Sequence, residues 1–226
     1  MTRVVVFAAV DLEATGLARL LGLARLAGDD WPHWGGGALE LVVVGPRARL
    51  LEARAARIGV PALVVSAGVC GALSPDLRLG DLVVPETVLG PAGLRWATAD
   101  VAGLPRRGTL ATVTDVVPTP AAKARLWIET AALACDMESA AILEWARARG
   151  IAAAVIRGVS DTAERGVPAD LAAVVEPDGR VRTARAVRAV LARPRAIADA
   201  LTLRSGTNAA LKSVARALGQ LARGRV

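Results

Sequence analysis

The chain has 226 residues, of which 54% are hydrophobic, and a net charge of +7. A chain of this length can bury a core large enough to be stable without covalent cross-links. Two cysteines are too few for a disulfide framework. The apolar run at residues 4–10 is much shorter than a bilayer requires and leads directly into Asp11 and Glu13, which excludes a membrane span or a signal peptide there. We therefore expect a cytoplasmic protein.

In the first half of the chain, apolar runs alternate with helical patterns. The β-branched run at residues 4–9 predicts a buried strand, and Asp11 is a candidate cap for the helix that follows to Leu21. The segment WPHWGGG at 31–37 predicts a loop or hairpin turn, and a second strand follows at 39–44. A helix to about Ile58 is then expected, closed by Gly59.

The second half continues this alternation. Strands are predicted at 62–66, 81–84, 109–114 and 151–159, and a glycine-rich stretch follows the first of them. Pro118 and Pro120 open a predicted helix that runs through Trp127, and a further helix is expected over 136–149. Two or three helices should follow the last strand, with breaks at Pro194 and near Gly206.

This order predicts an α/β fold: a single three-layer domain with a mainly parallel mixed central sheet flanked by helices and a helical C-terminal tail. We treat 1–226 as one domain, with 180–226 as a basic helical extension. Ligands of such sheets bind at the carboxyl ends of the strands. His33 is the only histidine, and no His or Cys cluster is present, so neither a metal nor another cofactor is expected.

Four segments at strand ends and helix starts carry a family resemblance. They are AAVDLEA (8–14), SAGVCGALSPDLRLGDLVVP (66–85), DMESAA (136–141) and RGVSDTA (157–163). Their order and spacing resemble the methylthioadenosine/adenosylhomocysteine nucleosidases and purine nucleoside phosphorylases. The resemblance implies a nucleoside phosphorylase-like fold, cleavage of the N-glycosidic bond of a purine nucleoside, and a homodimer.

The resemblance implies an acid and a base. Breaking an N-ribosyl bond passes through a cationic ribose and needs a proton for the leaving base and an activated water. Asp161 matches the family residue that protonates purine N7, and Glu13 matches the one that activates the water. The alternatives are a helix cap for Asp161, a solvated first-turn carboxylate for Glu13, and confusion of Glu13 with Asp11.

The remaining site residues are implied to bind the substrate. Glu138 would accept hydrogen bonds from the ribose hydroxyls while Met137 packs against the sugar, although an exposed helical glutamate and a core methionine would give the same pattern. Gly68 and Val69 belong to the loop around the ribose. Two further residues, Ser160 beside Asp161 and Val117 near the place of the family's aromatic residue, complete the set.

Departures from the family pattern concern the nucleophile. The phosphorylases hold phosphate with an Arg and a Ser, whereas Ser66 and Val69 stand in the corresponding places here and leave no charged anchor. Water is therefore the expected nucleophile. Arg47, after Gly45, is a candidate phosphate ligand, so a phosphate-dependent reaction stays open as the alternative.

The C-terminal tail resembles the hopanoid-associated branch of the family. The segment VVEPDGRVRTARAVRAVLARP and the basic tail imply that the substrate is adenosylhopane, with a lipid tail, and the product ribosylhopane; a general methylthioadenosine/adenosylhomocysteine nucleosidase is the alternative. Lys212, Arg216 and Arg223 lie on one predicted helical face, and four apolar residues lie on another: Leu211, Val214, Leu218 and Leu221. Such a helix either contacts the inner face of a membrane or packs its apolar face on the core.

Two other classes of function are weighed against an enzyme. A non-catalytic nucleoside-binding module would not need the set of Glu13, Glu138 and Asp161. A nucleic-acid-binding protein is suggested only by charge, since residues 180–226 carry eleven basic residues and one acidic residue. The tail has neither Tyr nor Phe, so we expect no nucleic-acid partner.

Overall fold

The computed structural model describes residues 3–28, 31–101, 103–166 and 194–224, with side chains of the last segment described from residue 204 onward. Eleven strands form one sheet: β1 (Val4–Ala8), β2 (Ala24–Arg25), β3 (His33–Gly36), β4 (Leu39–Val43), β5 (Leu63–Ala72), β6 (Leu82–Val83), β7 (Thr87–Leu89), β8 (Arg95–Ala97), β9 (Thr109–Thr112), β10 (Ala134–Asp136) and β11 (Ala152–Asp161). The α-helices within these residues are α1 (Asp11–Leu21), α2 (Leu51–Ala55), α3 (Pro120–Thr130), α4 (Ser139–Arg147) and α5 (Pro194–Arg223).

The sheet is mixed, with a parallel centre. Its main order is β2-β3-β4-β1-β5-β10-β9-β7-β8, and β11 pairs with β5 and β6. β1 runs parallel to β4 and β5, and β11 runs parallel to β5 over most of its length. β10 joins the last residues of β5 in the antiparallel direction, while β9 runs parallel to β10 and β7. These pairings confirm the predicted mainly parallel mixed sheet.

Helices cover both faces of the sheet. Because side chains alternate along a strand, Val4 and Val6 of β1 pack in one cluster with α1 and α5. Val5 and Phe7 point the other way, into a cluster with α2 and α4. This sandwich confirms the predicted three layers and places the start of α1 at the carboxyl end of β1.

The last helix lies directly on β11. A methyl group added at Gly158 would be 2.5 Å from the Ala210 carbonyl oxygen, and one added at Gly206 would be 2.1 Å from the Ser160 carbonyl oxygen. The prediction of a helix break near Gly206 is therefore wrong, because that glycine allows close backbone approach within a continuous α5. The apolar face of α5 is buried: Leu211, Val214, Leu218 and Leu221.

Several predicted elements differ in extent. Residues 33–36, predicted as a loop or turn, form β3 against β4, and the strand predicted at 62–66 continues through the glycine-rich stretch to Ala72. The helix expected to reach Ile58 is reduced to a 3-10 turn and the short α2. The helix predicted from 136 begins at Ser139, since Asp136 ends β10.

The prediction that Asp11 caps α1 is also wrong. Asp11 is the first residue of α1, which has Val10 at its N-cap and no side-chain cap. Residues 167–193, which include the segment PDGR (177–180) and the basic stretch before Pro194, lie outside the described residues. No helix in the described segments is long and apolar enough to cross a bilayer.

Candidate active site

Glu13 lies at the carboxyl end of β1, in the first turn of α1. Its side chain is buried and accepts hydrogen bonds from the backbone N–H groups of Val69, at 2.9 Å, and Ala9, at 3.2 Å. Burial disfavours the charged carboxylate and raises its pKa, although Arg157 opposes this effect. This contact with Val69 distinguishes Glu13 from Asp11, because it is the carboxyl group of Glu13 that faces the glycine-rich part of β5.

Gly68 permits this arrangement. Its φ is +151°, and a methyl group there would lie 2.8 Å from both Oε1 of Glu13 and Nη1 of Arg157. A side chain at this position would occupy the space between the carboxylate and the guanidinium. The glycine predicted near the ribose therefore has a second role, because it lets these two charged groups approach the backbone of β5.

Arg157, within β11, is the centre of a buried charge cluster. Its side chain is 1% exposed, and Nη2 lies 2.6 Å from Oδ2 of Asp136 and 3.7 Å from Oε2 of Glu138. The same nitrogen donates to Ser66 Oγ at 2.8 Å. Sequence reasoning missed Arg157 as a site residue, although an arginine inside a run of buried strand residues signals a paired charge.

Asp136 anchors the cluster to its surroundings. Oδ1 accepts a 2.7 Å hydrogen bond from Thr112 Oγ1, while Oδ2 accepts from the backbone N–H and the hydroxyl of Ser139 at 3.1 and 2.5 Å. These bonds join the ends of β9 and β10 to the start of α4. Asp136 was likewise not predicted, because its partners come from three separate segments.

Glu138 completes the cluster beside Asp136. It is buried, and its Oε1 accepts a 3.0 Å hydrogen bond from the backbone N–H of Arg47. Burial, together with the nearby carboxylates of Asp136 and Glu13, raises its pKa to about 7, while Arg157 acts in the opposite direction. Three carboxyl groups thus surround one guanidinium, and with all of them ionised the cluster carries excess negative charge.

Arg47 lies beside this cluster, but its side chain is already paired. Nη2 is 2.9 Å from Oδ1 of Asp115, and Nε donates to the Thr114 carbonyl oxygen at 2.5 Å. The side chain is 39% exposed. A phosphate bound by Arg47 would have to compete with the Asp115 carboxylate.

Asp161 lies at the end of β11, against the glycine-rich segment. A methyl group at Gly71 would be 3.0 Å from its Oδ2. Ser160 Oγ donates to Oδ1 at 2.7 Å, and the buried ammonium of Lys123 forms a close ion pair with Oδ2. Lys123 also donates to the Thr162 carbonyl oxygen at 2.8 Å. This lysine was missed because nothing in the sequence of its helix, PAAKARLWIET, marks its single lysine as buried.

The remaining predicted residues lie around these groups. Val69 and Met137 are half-buried, next in sequence to Gly68 and Glu138. Val117 is half-buried and packs against Leu73, Ala111, Ala132 and Cys135, so its contact with a purine stays a prediction.

The other chemically reactive side chains do not form a second centre here. Burial raises the pKa of Cys70 and raises that of Cys135 to about 12, which keeps both as thiols. His33 bonds Glu40 at 2.7 Å and stacks on Trp31. Among the residues the structure describes, no three His, Cys, Asp or Glu side chains are placed to hold a metal ion.

The model of the phosphorylase superfamily matches residues 104–192, which confirms for that part of the chain the resemblance predicted from sequence. No curated protein matches at a significant level.

Solved structures share the fold. The MTAN of Chlamydia trachomatis bound to MTA has a TM-score of 0.69 and 15% identity, with all of both chains covered. The 5′-methylthioadenosine nucleosidase of Arabidopsis thaliana in apo form has a TM-score of 0.67 and 18% identity, covering 98% of this chain and 96% of that one. The futalosine hydrolase mutant of Helicobacter pylori has a TM-score of 0.60 and 19% identity, covering 74% and 91%. The predicted nucleoside phosphorylase-like fold is confirmed.

Proposed function

We propose that this protein is an enzyme that hydrolyses the N-glycosidic bond of a 5′-substituted adenosine and releases adenine. One observation carries the proposal: the carboxyl groups of Glu13, Asp136 and Glu138 surround the single guanidinium of Arg157. Such a centre favours a cation over an anion. A ribose that becomes oxocarbenium-like as its bond to the base breaks is the cation that it suits.

Each residue then has a defined step. Glu13 takes a proton from water, whose oxygen attacks C1′ of the ribose. Its raised pKa makes the Glu13 carboxylate a stronger base than that of an exposed glutamate. Glu138 accepts hydrogen bonds from the ribose hydroxyls, with Met137, Val69 and Gly68 around the sugar. Asp161 gives a proton to N7 of the purine while Ser160 orients its carboxyl group and Val117 contacts the base.

Water is the nucleophile that the charges favour. A phosphate anion would meet the excess carboxylates around Arg157, and Arg47 is already paired with Asp115 at 2.9 Å. Ser66 bonds the buried guanidinium instead of standing free to bind phosphate. The exposed part of Arg47 is what would support a phosphate-dependent purine nucleoside phosphorylase, which is the alternative.

We propose adenosylhopane as the substrate and ribosylhopane as the product, on the basis of the tail segments. A general methylthioadenosine/adenosylhomocysteine nucleosidase is the alternative, and the similar fold of the MTAN bound to MTA supports it. The two differ only in what the ribose 5′ carbon carries.

We also propose a homodimer. Leu12, beside Glu13, is 61% exposed, and Ile128, on the helix that carries Lys123, is 80% exposed, so both apolar side chains are available to a second copy. Sedimentation at micromolar concentration tests this proposal, and a monomer there would exclude it.

The basic side of α5 is proposed to contact an anionic membrane face. Lys212, Arg216 and Arg223 are exposed and line a groove of about 820 Å³ with the end of α1 and the β3–β4 turn. Since the apolar side of α5 is buried, such contact would be electrostatic, without insertion. Flotation of the intact protein with anionic vesicles at low salt is expected, and its absence would exclude the contact.

The first experiment measures adenine release from adenosylhopane, methylthioadenosine and adenosine, each with and without phosphate. Asp161→Asn removes the proposed acid, and Asp76→Asn is the matched control because Asp76 is exposed and outside the site. Release without phosphate that is lost only in D161N is the expected result. Release only with phosphate would establish the phosphorylase alternative, and no release from any substrate would refute both.

A further inference from the structure

Helix α3 is attached to the rest of the protein in an unusual way. Lys123 is its only buried side chain, at 1% exposure, whereas Trp127 and Ile128 are 37% and 80% exposed. A helix on a globular protein ordinarily packs through an apolar stripe. Here Leu126 is only partly buried, against an apolar cluster that includes Leu73 and Cys135, and the fully buried group of α3 is an ammonium that reaches the proposed acid.

The contacts of Lys123 help to fix the orientation of the Asp161 carboxyl group. Its Nζ pairs with Oδ2 of Asp161 and donates to the Thr162 carbonyl oxygen at 2.8 Å. Ser160 Oγ occupies the other carboxylate oxygen, at 2.7 Å. With both oxygens bound, the plane of the Asp161 carboxyl group is fixed before any substrate enters.

Burying a lysine costs free energy unless its ammonium group is paired with an opposite charge. Removing an ammonium from water is repaid only by close ion pairing, and an apolar residue would attach α3 at lower cost. The position of Lys123 therefore points to a function at Asp161 beyond holding a helix.

We propose that Lys123 is the positioning residue of the acid. This inference rests on the proposed function. Asp161 takes up a proton from solvent as the substrate binds. When it passes that proton to N7 of the purine, the C1′–N9 bond breaks, its electron pair stays on the purine, and Asp161 returns to the carboxylate that pairs with Lys123 in the free protein. Lys123 stabilises that carboxylate as it forms, so its effect is larger in the transition state than in the substrate complex.

The test compares two substrates, one whose leaving group must be protonated and one whose leaving group need not be. Adenine requires protonation to leave, whereas the nitrophenolate of a 4-nitrophenyl riboside does not. We expect Lys123→Met to lower kcat for adenine release about 100-fold with KM little changed, and to leave nitrophenyl riboside hydrolysis at the wild-type rate. Lys123→Arg, which keeps a cation, should recover part of the loss. Arg125→Met, at an exposed cation on the same helix, is the matched control.

A double-mutant cycle tests the proposal by adenine release alone. In the D161N background, where no acid remains, K123M should add no further loss. Equal loss on both substrates, an additive loss in D161N, or unchanged adenine release in K123M would overturn the positioning role. Failure of the wild-type protein to release adenine would instead refute the proposed function itself. If K123M does not fold, as judged by its thermal unfolding, the same comparisons with Lys123→Gln decide.

Discussion

The backbone N–H of Arg47 donates a 3.0 Å hydrogen bond to Oε1 of Glu138, 91 residues further along the chain. Arg47 has a φ of 56°, in the left-handed region that costs free energy for a non-glycine residue. The loop after β4 is therefore held in a strained conformation whose N–H is used by a buried carboxylate. This contact suggests how to remove the charge of Glu138 without removing its hydrogen bond.

Glu138→Gln should impair catalysis and leave the fold intact. The amide oxygen of glutamine can still accept from Arg47, but it no longer offers a negative charge to a cationic ribose. We expect kcat/KM for adenine release to fall roughly 100-fold, as measured in steady-state assays at pH 8. Glu129→Gln changes an exposed glutamate paired with Arg125 and should have no effect. An unchanged rate in E138Q would contradict the role given to its charge.

Stability should decrease as the pH rises through neutrality. The pKa of Glu138 is raised from 4.5 to about 7, so the folded state binds its proton more tightly than the unfolded state does. That stabilisation is fully present below about pH 4.5 and is lost as the pH rises through 7, a difference of roughly 3 kcal/mol. Urea unfolding at several pH values measures it. E138Q should show a clearly smaller decrease, and an identical profile would assign the effect to other groups.

Gly68→Ala should disable the site. The added methyl group would lie 2.8 Å from Oε1 of Glu13 and Nη1 of Arg157, so both charged groups must move. A displacement of the base by about 1 Å costs on the order of 100-fold in rate. Gly93→Ala is the matched control, because Gly93 has a φ of +76° and open space around it. We expect G93A to retain wild-type adenine release, and comparable losses in the two variants would point to backbone strain alone.

Two glycines of α5 should respond in opposite directions to alanine. Gly219→Ala places a methyl group at ordinary contact distance, 3.5 Å from Arg223 and 3.9 Å from Leu21, and should stabilise the helix by up to about 1 kcal/mol. Gly206→Ala would place it 2.1 Å from the Ser160 carbonyl oxygen and should destabilise the protein by at least about 1 kcal/mol. Thermal unfolding of both variants checks this. Stabilisation by G206A would mean that α5 lies further from β11.

The sequence predicts the parts of this structure that are local. The β-branched runs predict β1, β4 and β11, and the motifs around Glu13, Glu138 and Asp161 identify the side chains that lie at the strand ends. The short strands β2, β7 and β8 carry no alternating pattern and exist through pairing with their neighbours.

The charge network could not be predicted in the same way. Arg157 meets Ser66 from 91 residues away, and Lys123 meets Asp161 across 38 residues. Such pairs depend on how the strands are ordered in space, which no spacing in the sequence reveals. Arg157 alone gave a signal, since a charged residue within an apolar strand must have a partner.

The close contact between α5 and β11 has a consequence for how the protein is made. Arg157 and Asp161 lie on β11, and Gly206 and Ala210, which pack on that strand, are synthesised some 45 to 50 residues later. As a nascent chain leaves the ribosome, the strand that bears these charges therefore exists for a time without its covering helix. Activity should appear only when the final helix has emerged, so a chain stalled before α5 would have the catalytic side chains in its sequence and no assembled site.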